Sequence, residues 1–285
     1  MRNLKDILYS VALEAVTGST DIQISGITTD SRLVDSNTIF VAIRGTNTDG
    51  HNYIDQVIEK GVKVILCEEF NPNSSSEVCF LQVSNARKAL GILASNFYDN
   101  PSKQLKLVGI TGTNGKTTTT TILYDLFKKL GYKVGLLSTI QNLINDKVYE
   151  STHTTPDPVS LNKLLAEMVE SGCTHAFMEV SSHSIDQDRI AGLAFEGAVF
   201  TNISHDHLDY HKTFLDYINA KKKFFDNLPS NAFALINTDD KRGAVMVQNT
   251  KANVFSFGLR SLSDFYLRVV ENSFDGMILD IANTE

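Results

Sequence analysis

With 285 residues, 42% apolar and 21% charged, the chain is long enough for two domains and has an ordinary water-soluble composition. Its net charge of −7, without an extended Lys/Arg-rich run, argues against nonspecific nucleic-acid binding. The N-terminal MRNLKDILYS carries no long apolar stretch and no later run approaches about 18 apolar residues, so neither export nor membrane spanning is expected. Cys67, Cys79 and Cys173 are scattered without a CxxC, and read as reduced thiols filling apolar space in a cytoplasmic protein.

The first hundred residues alternate short strands with helices. Residues 38–43 and 62–66 are strand-like, with the helical HNYIDQVIEKG between them, and 85–98 has helical periodicity. Asp99-Asn100-Pro101-Ser102 breaks that pattern, which predicts an N-terminal domain over 1–100 and a central domain over 101–285.

The central part opens on LKLVGITGTNGKTTTTT, residues 105–121. A buried strand runs into Gly112-Thr113-Asn114-Gly115, then Lys116, then a threonine run that enters a helix. A strand, a glycine turn and a helix N-terminus in that order place backbone N–H groups and a helix dipole around an anion. Lys116 can reach the β/γ-phosphates of a nucleotide and the Thr117 hydroxyl can ligate Mg²⁺. The motif is shorter than the strict GxxxxGK[ST], since position 110 is Ile.

Beyond it, strands are expected at 133–137, 175–180, 197–201 and 232–237, with helices at 117–130 and 159–171. This βα alternation predicts a mostly parallel sheet with ligands at the carboxyl ends of its strands. The segments FSFG and FYLRVVENSFDGMILDI alternate like an antiparallel hairpin, and the sequence stops at Glu285 without a closing helix, so a shortened chain is expected.

Glu179 ends the apolar strand HAFMEV, where a carboxylate is placed to hold Mg²⁺; the plainer alternative is a surface Glu opening a loop. Three His and two Asp crowd residues 205–211. No HExxH spacing accompanies them, so one His as an Mg²⁺ ligand and the others as loop hydrogen-bonders fits better than zinc. Of Lys221, Lys222 and Lys223, the last two read as a solvated helix face. Lys221 lies one turn before Phe225 on the inward face, where a lysine needs a partner or a depressed pKa.

The motifs TTDSR (28–32), IFVAIRGTNTDGH (39–51), GITGTNGKTT (109–118), TTPDP (154–158), MEVSSHSIDQDRI (178–190), FTNISHDHLDYH (200–211), YINAK (217–221) and INTDD (236–240) resemble the Mur ligase superfamily. DSR followed by GxxxDGH, TTP and SSHxxxQxR resembles its UDP-N-acetylmuramoyl-tripeptide synthetases in particular. The resemblance implies an α/β protein with a small N-terminal substrate domain, then a mostly parallel, P-loop ATPase-like central domain. It implies a third, C-terminal domain as well, which this sequence does not contain.

The implied activity is ATP-dependent ligation of a diamino acid, meso-diaminopimelate or L-lysine, to UDP-N-acetylmuramoyl-L-alanyl-D-glutamate through an acyl phosphate. The enzyme would be cytoplasmic and monomeric, with neither nucleic acid nor membrane as partner. The family's ATP site falls on Gly112, Thr113, Asn114, Gly115, Lys116, Thr117 and Thr118. Its Mg²⁺ ligands fall on Thr117, Glu179, His207 and an N6-carboxylated Lys221; Lys116, Lys221 and His207 are the implied catalytic residues. Ser31, Thr46, Asn47 and Thr48 would hold the UDP part, and Thr154, Thr155, Ser181, Gln187 and Arg189 the muramoyl-dipeptide. His153 stands where relatives often carry Asn and receives no role. A non-catalytic nucleotide-sugar-binding fragment remains an alternative, as does another ligase of the superfamily such as folylpolyglutamate synthase. That family usually reads GTNGKGS, however, and lacks the DSR-type domain. A P-loop kinase or GTPase leaves SSHxxxQxR unexplained.

Overall fold

A computed structural model describes the chain except for residues 46–47, 71–76, 151–153, 207, 260–262, 275 and 284–285. Its contacts divide it into two units: 1–101 with 157–166 and 188–193, and 102–156 with 167–187 and 194–285.

In the first unit, β1 (Leu13–Thr17), β2 (Gly26–Thr28), β3 (Thr38–Val41), β4 (Val64–Cys67) and β5 (Cys79–Val83) form a sheet in the order β1-β5-β4-β3-β2. β2 to β5 pair in parallel and β1 closes the edge antiparallel to β5. The central strands TIFV and VILC are buried at every residue, as parallel strands covered on both faces must be. Alternate residues feed different cores: Ile39, Val64 and Leu81 pack with Leu93, while Phe40, Ile65 and Phe80 pack with Val57. Val57 lies in α1 (Ile54–Glu59) and Leu93 in α2 (Ala86–Phe97). Asn85 starts α2 by accepting the Lys88 N–H at 2.9 Å.

The second unit is built on β6 (Lys106–Thr111), α3 (Lys116–Lys129), β7 (Val134–Leu137), β8 (Gln141–Ile144) and β9 (Lys147–Glu150). Then come α4 (Pro158–Glu170), whose first residues group with the first unit, β10 (His175–Glu179), α5 (Ser182–Asp186), β11 (Gly197–Phe200) and α6 (Phe214–Asp226). β12 (Phe233–Asn237), β13 (Asn253–Gly258), β14 (Phe265–Ser273) and β15 (Gly276–Asn283) complete it. Among the described residues these strands make one ten-stranded sheet in the order β9-β8-β7-β10-β6-β11-β12-β13-β14-β15. The run from β7 to β14 is parallel, so FSFG in β13 lies parallel to β14 rather than in the expected antiparallel hairpin, and the antiparallel hairpins β8–β9 and β14–β15 lie at the two edges.

β6 sits between β10 and β11, so its apolar residues are buried from Leu107 to Thr111. On one face Val108, Ile110, Phe177 and Val199 pack under Tyr124 of α3. Phe224 of α6 meets Phe195 edge-on at 4.8 Å. The parallel order sends the ends of β6, β7, β10 and β11 to the same edge, where the segments bearing Gly112, Thr139, Val180 and Thr201 emerge. Among the described residues no helix is long and apolar enough to cross a membrane.

Candidate functional site

The loop Gly112–Gly115 joins β6 to α3 at that edge. Gly112 has φ +154°, and a Cβ there would stand 1.9 Å from Thr201 Oγ1; Gly115 has φ +85° as the residue before the helix. Both positions therefore require glycine. The segment after β11 grips the loop from below. Asn202 accepts the Thr113 N–H on its carbonyl (2.8 Å) and the Asn114 N–H on Oδ1 (3.0 Å), while Thr201 donates to the Asn114 carbonyl at 2.7 Å. Thr113 Oγ1 takes the Ser204 N–H at 2.9 Å and lies 3.1 Å from the Tyr217 hydroxyl. Two loop amides are thus committed to holding the loop. The first intrahelical bond of α3 is Thr119 N–H to the Gly115 carbonyl, 2.9 Å, so the amides of Lys116, Thr117 and Thr118 point out of the helix end.

Lys116 folds back over its own loop, donating to the carbonyls of Gly112 (3.0 Å) and Thr113 (2.9 Å). Lys221, 1% exposed, arrives from α6 and donates to the same Gly112 carbonyl at 2.9 Å, its ammonium 4.8 Å from the centre of the Tyr217 ring. Burial pushes the Lys221 pKa well below the ordinary lysine value; the positive charge of Lys116 adds to that and Asp206 opposes it. Lys116 is lowered too, chiefly by burial, against the pull of Glu179 and Asp206. Lys222 is not simply solvated, for it pairs with Asp226 at 2.6 Å and bonds Asn249 at 2.7 Å; Lys223 is exposed.

Glu179 is 1% exposed at the end of β10, which excludes the surface alternative. Its carboxylate accepts the Thr117 hydroxyl at 3.0 Å, the Thr139 N–H at 2.7 Å and the Thr139 hydroxyl at 3.2 Å. Thr154 touches Thr139 at 3.1 Å, and Thr155 donates to the Glu179 carbonyl at 2.9 Å. Asp157 accepts the Val159 and Ser160 N–H groups at 3.0 and 3.1 Å and Pro158 takes the first helical position, so the end of TTPDP starts α4. Ser181 caps α5 by accepting the Ser184 N–H at 3.1 Å.

Gln187 donates to the Tyr210 hydroxyl at 3.3 Å, and Tyr210 donates to Asp186 at 2.7 Å. His205 stacks on Phe214 at 4.2 Å, while His211 sits among His183, Tyr210 and Tyr217. His207 lies outside the described residues, and among those described no three His, Cys, Asp or Glu group as a metal cluster. Arg189 belongs to the segment grouped with the first unit.

Within the first unit a cavity of about 670 Å³ brings Asp30, Ser31 and Arg32 together with Thr48 and Tyr53. Thr46, Asn47 and His153 lie outside the described residues. Arg32 grips Asp30 through contacts of 2.7 and 2.9 Å and holds its carboxyl down at about 2. The Ser31 carbonyl accepts the Lys60 ammonium at 2.7 Å. The RGTNTDGH run has its own logic. His51 Nε2 accepts the Glu68 N–H at 3.1 Å, which leaves Nδ1 protonated to meet Asp49 at 2.7 Å. Arg44 pairs with Glu68 at 3.1 Å and Glu69 at 2.8 Å. Arg44, Asp49 and His51 thereby anchor the loop that contributes Thr48.

Sequence reasoning gave no role to Thr139, Thr201, Asn202, Asp206 or Tyr217. Thr139 and Thr201 were findable, as hydroxyl residues directly beyond strands of the phosphate-loop sheet.

Comparison with known proteins matches the same regions. The model described as "Mur ligase middle domain" matches residues 110–285, and "Mur ligase family, catalytic domain" matches 23–98. A UDP-N-acetylmuramoyl-L-alanyl-D-glutamate–2,6-diaminopimelate ligase of Cytophaga hutchinsonii is 56% identical over 279 residues, covering 98% of this chain and 57% of the relative. The Bacteroides fragilis protein of that name is 54% identical over 282 residues, covering 99% of this chain and 58% of the relative. The chain therefore spans somewhat over half the length of the curated relatives it matches.

A solved structure of a ligase with that name superposes with a TM-score of 0.83 at 22% identity, covering 99% of this chain and 58% of that one. The MurF ligase of Thermotoga maritima, solved with ADP, superposes at 0.57 and 24% identity over 90% of this chain and 55% of that one. At such identities both structures speak for the fold alone. The family match over the phosphate loop, Glu179 and Lys221 adds to the geometry that joins them, and the chain belongs to the Mur ligase family.

Proposed function

We propose that the whole protein is an ATP-dependent ligase that joins 2,6-diaminopimelate to UDP-N-acetylmuramoyl-L-alanyl-D-glutamate. The observation that carries this is the convergence of Lys116, Thr117, Glu179 and Lys221 on one phosphate loop. The names of the curated relatives supply the substrate pair. In the reaction, the γ-phosphoryl group of ATP passes to the free side-chain carboxylate of the D-glutamyl residue, releasing ADP. The amine of the diamino acid attacks the acyl phosphate, loses a proton and expels phosphate, leaving an amide.

Each residue group has a part in this. The amides at the start of α3 cradle the phosphates, and Lys116 exchanges its loop carbonyls for phosphate oxygens. The oxygen donors of Thr117 and Glu179 are the hard ligands that suit Mg²⁺, and His207 is assigned beside them. Bound Mg²⁺ supplies positive charge against the transferring phosphoryl group. Lys221 carries an N6-carboxylate, which turns a buried cation beside Lys116 into an anion suited to a site of cations. The cavity of the first unit takes the uridine diphosphate end through Ser31, Thr48 and the neighbouring Thr46 and Asn47. Thr154, Thr155, Ser181, Gln187 and Arg189 serve the muramoyl-dipeptide, the first four close to Glu179 or at the ends of the helix that follows it. The protein works in the cytoplasm as a monomer.

Incubating the whole protein with ATP, Mg²⁺, the UDP-muramoyl-dipeptide and either 2,6-diaminopimelate or L-lysine tests this. Equimolar ADP, phosphate and tripeptide are expected with 2,6-diaminopimelate. Absence of ADP release with both acceptors overturns the ligase assignment, and preference for L-lysine overturns the acceptor.

A further inference from the structure

We infer that Thr139 is a positioning residue that ties the orientation of the Glu179 carboxylate to Thr154, so that the TTP loop tunes how the site holds a metal-nucleotide. This rests on the ligase reading above, in which Glu179 serves Mg²⁺ and Thr154 serves the substrate. Thr139 follows β7 and meets Glu179 twice, with its N–H on Oε1 at 2.7 Å and its hydroxyl 3.2 Å from Oε2. The same hydroxyl lies 3.1 Å from Thr154 Oγ1.

A hydroxyl has one proton to give, and an ionised carboxylate can only accept. Thr139 is the donor in both contacts, so its one proton is shared between Glu179 Oε2 and Thr154 Oγ1. The two oxygens compete for it. The Thr117 hydroxyl also reaches Oε2, at 3.0 Å. Oε2 thus takes two hydroxyl bonds, while Oε1 takes one N–H bond from Thr139 and keeps a lone pair. Thr139 holds both carboxylate oxygens at once and fixes the rotation of the group. A bond to Thr154 draws the Thr139 proton from Oε2 and loosens that hold. If substrate draws the Thr154 hydroxyl away, the proton returns to Oε2 and the hold tightens, so the two sites are linked through one side chain.

The test uses the chain itself, a fluorescent ATP analogue and a Mg²⁺ titration, alongside thermal unfolding without metal. Thr139→Val, which keeps the shape and loses the hydroxyl, is expected to raise the Mg²⁺ concentration for half-maximal nucleotide binding by about tenfold or more, the usual cost of losing a partner of a metal-ligating carboxylate. Thr139→Ser should stay within about twofold of the unsubstituted chain. Thr154→Val, which removes the competing acceptor, should lower the requirement, and should change nothing in the Thr139→Val background, because its influence passes through the missing hydroxyl.

An unchanged Mg²⁺ requirement in Thr139→Val, with only a lower unfolding temperature, makes Thr139 a packing residue and overturns the inference. So do additive effects of the two substitutions. If Thr139→Val does not fold, Thr154→Val decides alone, and no change in its Mg²⁺ requirement overturns the link. Failure of the unsubstituted chain to bind nucleotide with Mg²⁺ would instead remove the ligase reading on which the inference stands.

Discussion

The ammonium groups of Lys116 and Lys221 share one acceptor, the carbonyl of Gly112, at 3.0 and 2.9 Å. Lys116 begins the helix after the phosphate loop, and Lys221 reaches the same oxygen from a helix far along the chain. Two cations on one carbonyl repel each other, and burial deprives each of water. The arrangement is held ready for negative charge, whether it comes from a nucleotide or from modification of Lys221.

Lys116→Ala should leave the fold intact, since the side chain bonds only to its own loop carbonyls among the contacts described. Loss of a charge that grips the transferring phosphates should lower turnover of the whole protein by about 10³-fold or more. Rate measurements alongside circular dichroism check this. Near-normal turnover with an unchanged spectrum would rule out the phosphate-loop role.

The cavity of the first unit should bind the uridine nucleotide end of the substrate by itself. Ser31→Ala, which removes one hydroxyl from its wall, is expected to weaken UDP binding to the chain by about tenfold, the value of a lost hydrogen bond in a partly enclosed site. Titration calorimetry with UDP reads it directly. Equal affinities for the two chains would place uridine recognition elsewhere.

The parallel strands and the phosphate loop were legible in the sequence because their signals are local. A run such as KLVGIT followed by GTNGKT needs no partner to be recognised, and β6, α3 and β10 start and end within a residue of expectation. The burial of Lys221 was readable for the same reason, from its spacing to Phe225. The β8–β9 hairpin was not foreseen, since strands of four residues around Asn145 and Asp146 carry too little alternation. Nor were the partners of Glu179 and the phosphate loop. Thr139, Asn202 and Tyr217 act through contacts between distant segments, which side-chain periodicity does not encode. Lys222 illustrates the converse: helix spacing set its face, but only the fold shows Asn249 beside it.

Cys67 and Cys79 sit in neighbouring strands of the first sheet, 0% and 1% exposed, and burial raises their thiols to about 12 and about 11. In the unfolded chain they ionise near pH 8.5. Because the folded values are raised, the neutral thiols contribute stability that is fully present below about 8.5 and is lost as pH climbs toward about 11 and 12. By pH 10 the loss is about 2 kcal/mol for each thiol. Urea unfolding at pH 8 and pH 10 should show the drop, and a Cys67→Ala/Cys79→Ala variant should show a smaller one. A thiol reagent should leave both residues unlabelled in the folded chain at pH 8. Equal pH dependence in the two chains, or rapid labelling of Cys67, would contradict their burial as thiols.

Lys221 separates the ligase chemistry most sharply from an ordinary lysine run. Carboxylation requires the free amine to add to CO₂, and the product persists only where cations balance it, which on the proposed reading Lys116 and Mg²⁺ would provide. Lys221→Ala in the whole protein should therefore abolish measurable ligation, and millimolar acetate or another short carboxylate should restore part of it by filling the vacated space. Lys222→Ala breaks the pair with Asp226 and the bond to Asn249, so it should cost about 0.5 kcal/mol of stability with little loss of turnover. Lys223→Ala, on the exposed face, should cost far less turnover than Lys221→Ala. Mass spectrometry under CO₂-saturated conditions should add the mass of one CO₂ to the peptide carrying Lys221, and to neither neighbour. Equal, mild effects at all three positions, without rescue by carboxylate, would return Lys221 to a structural role on its helix.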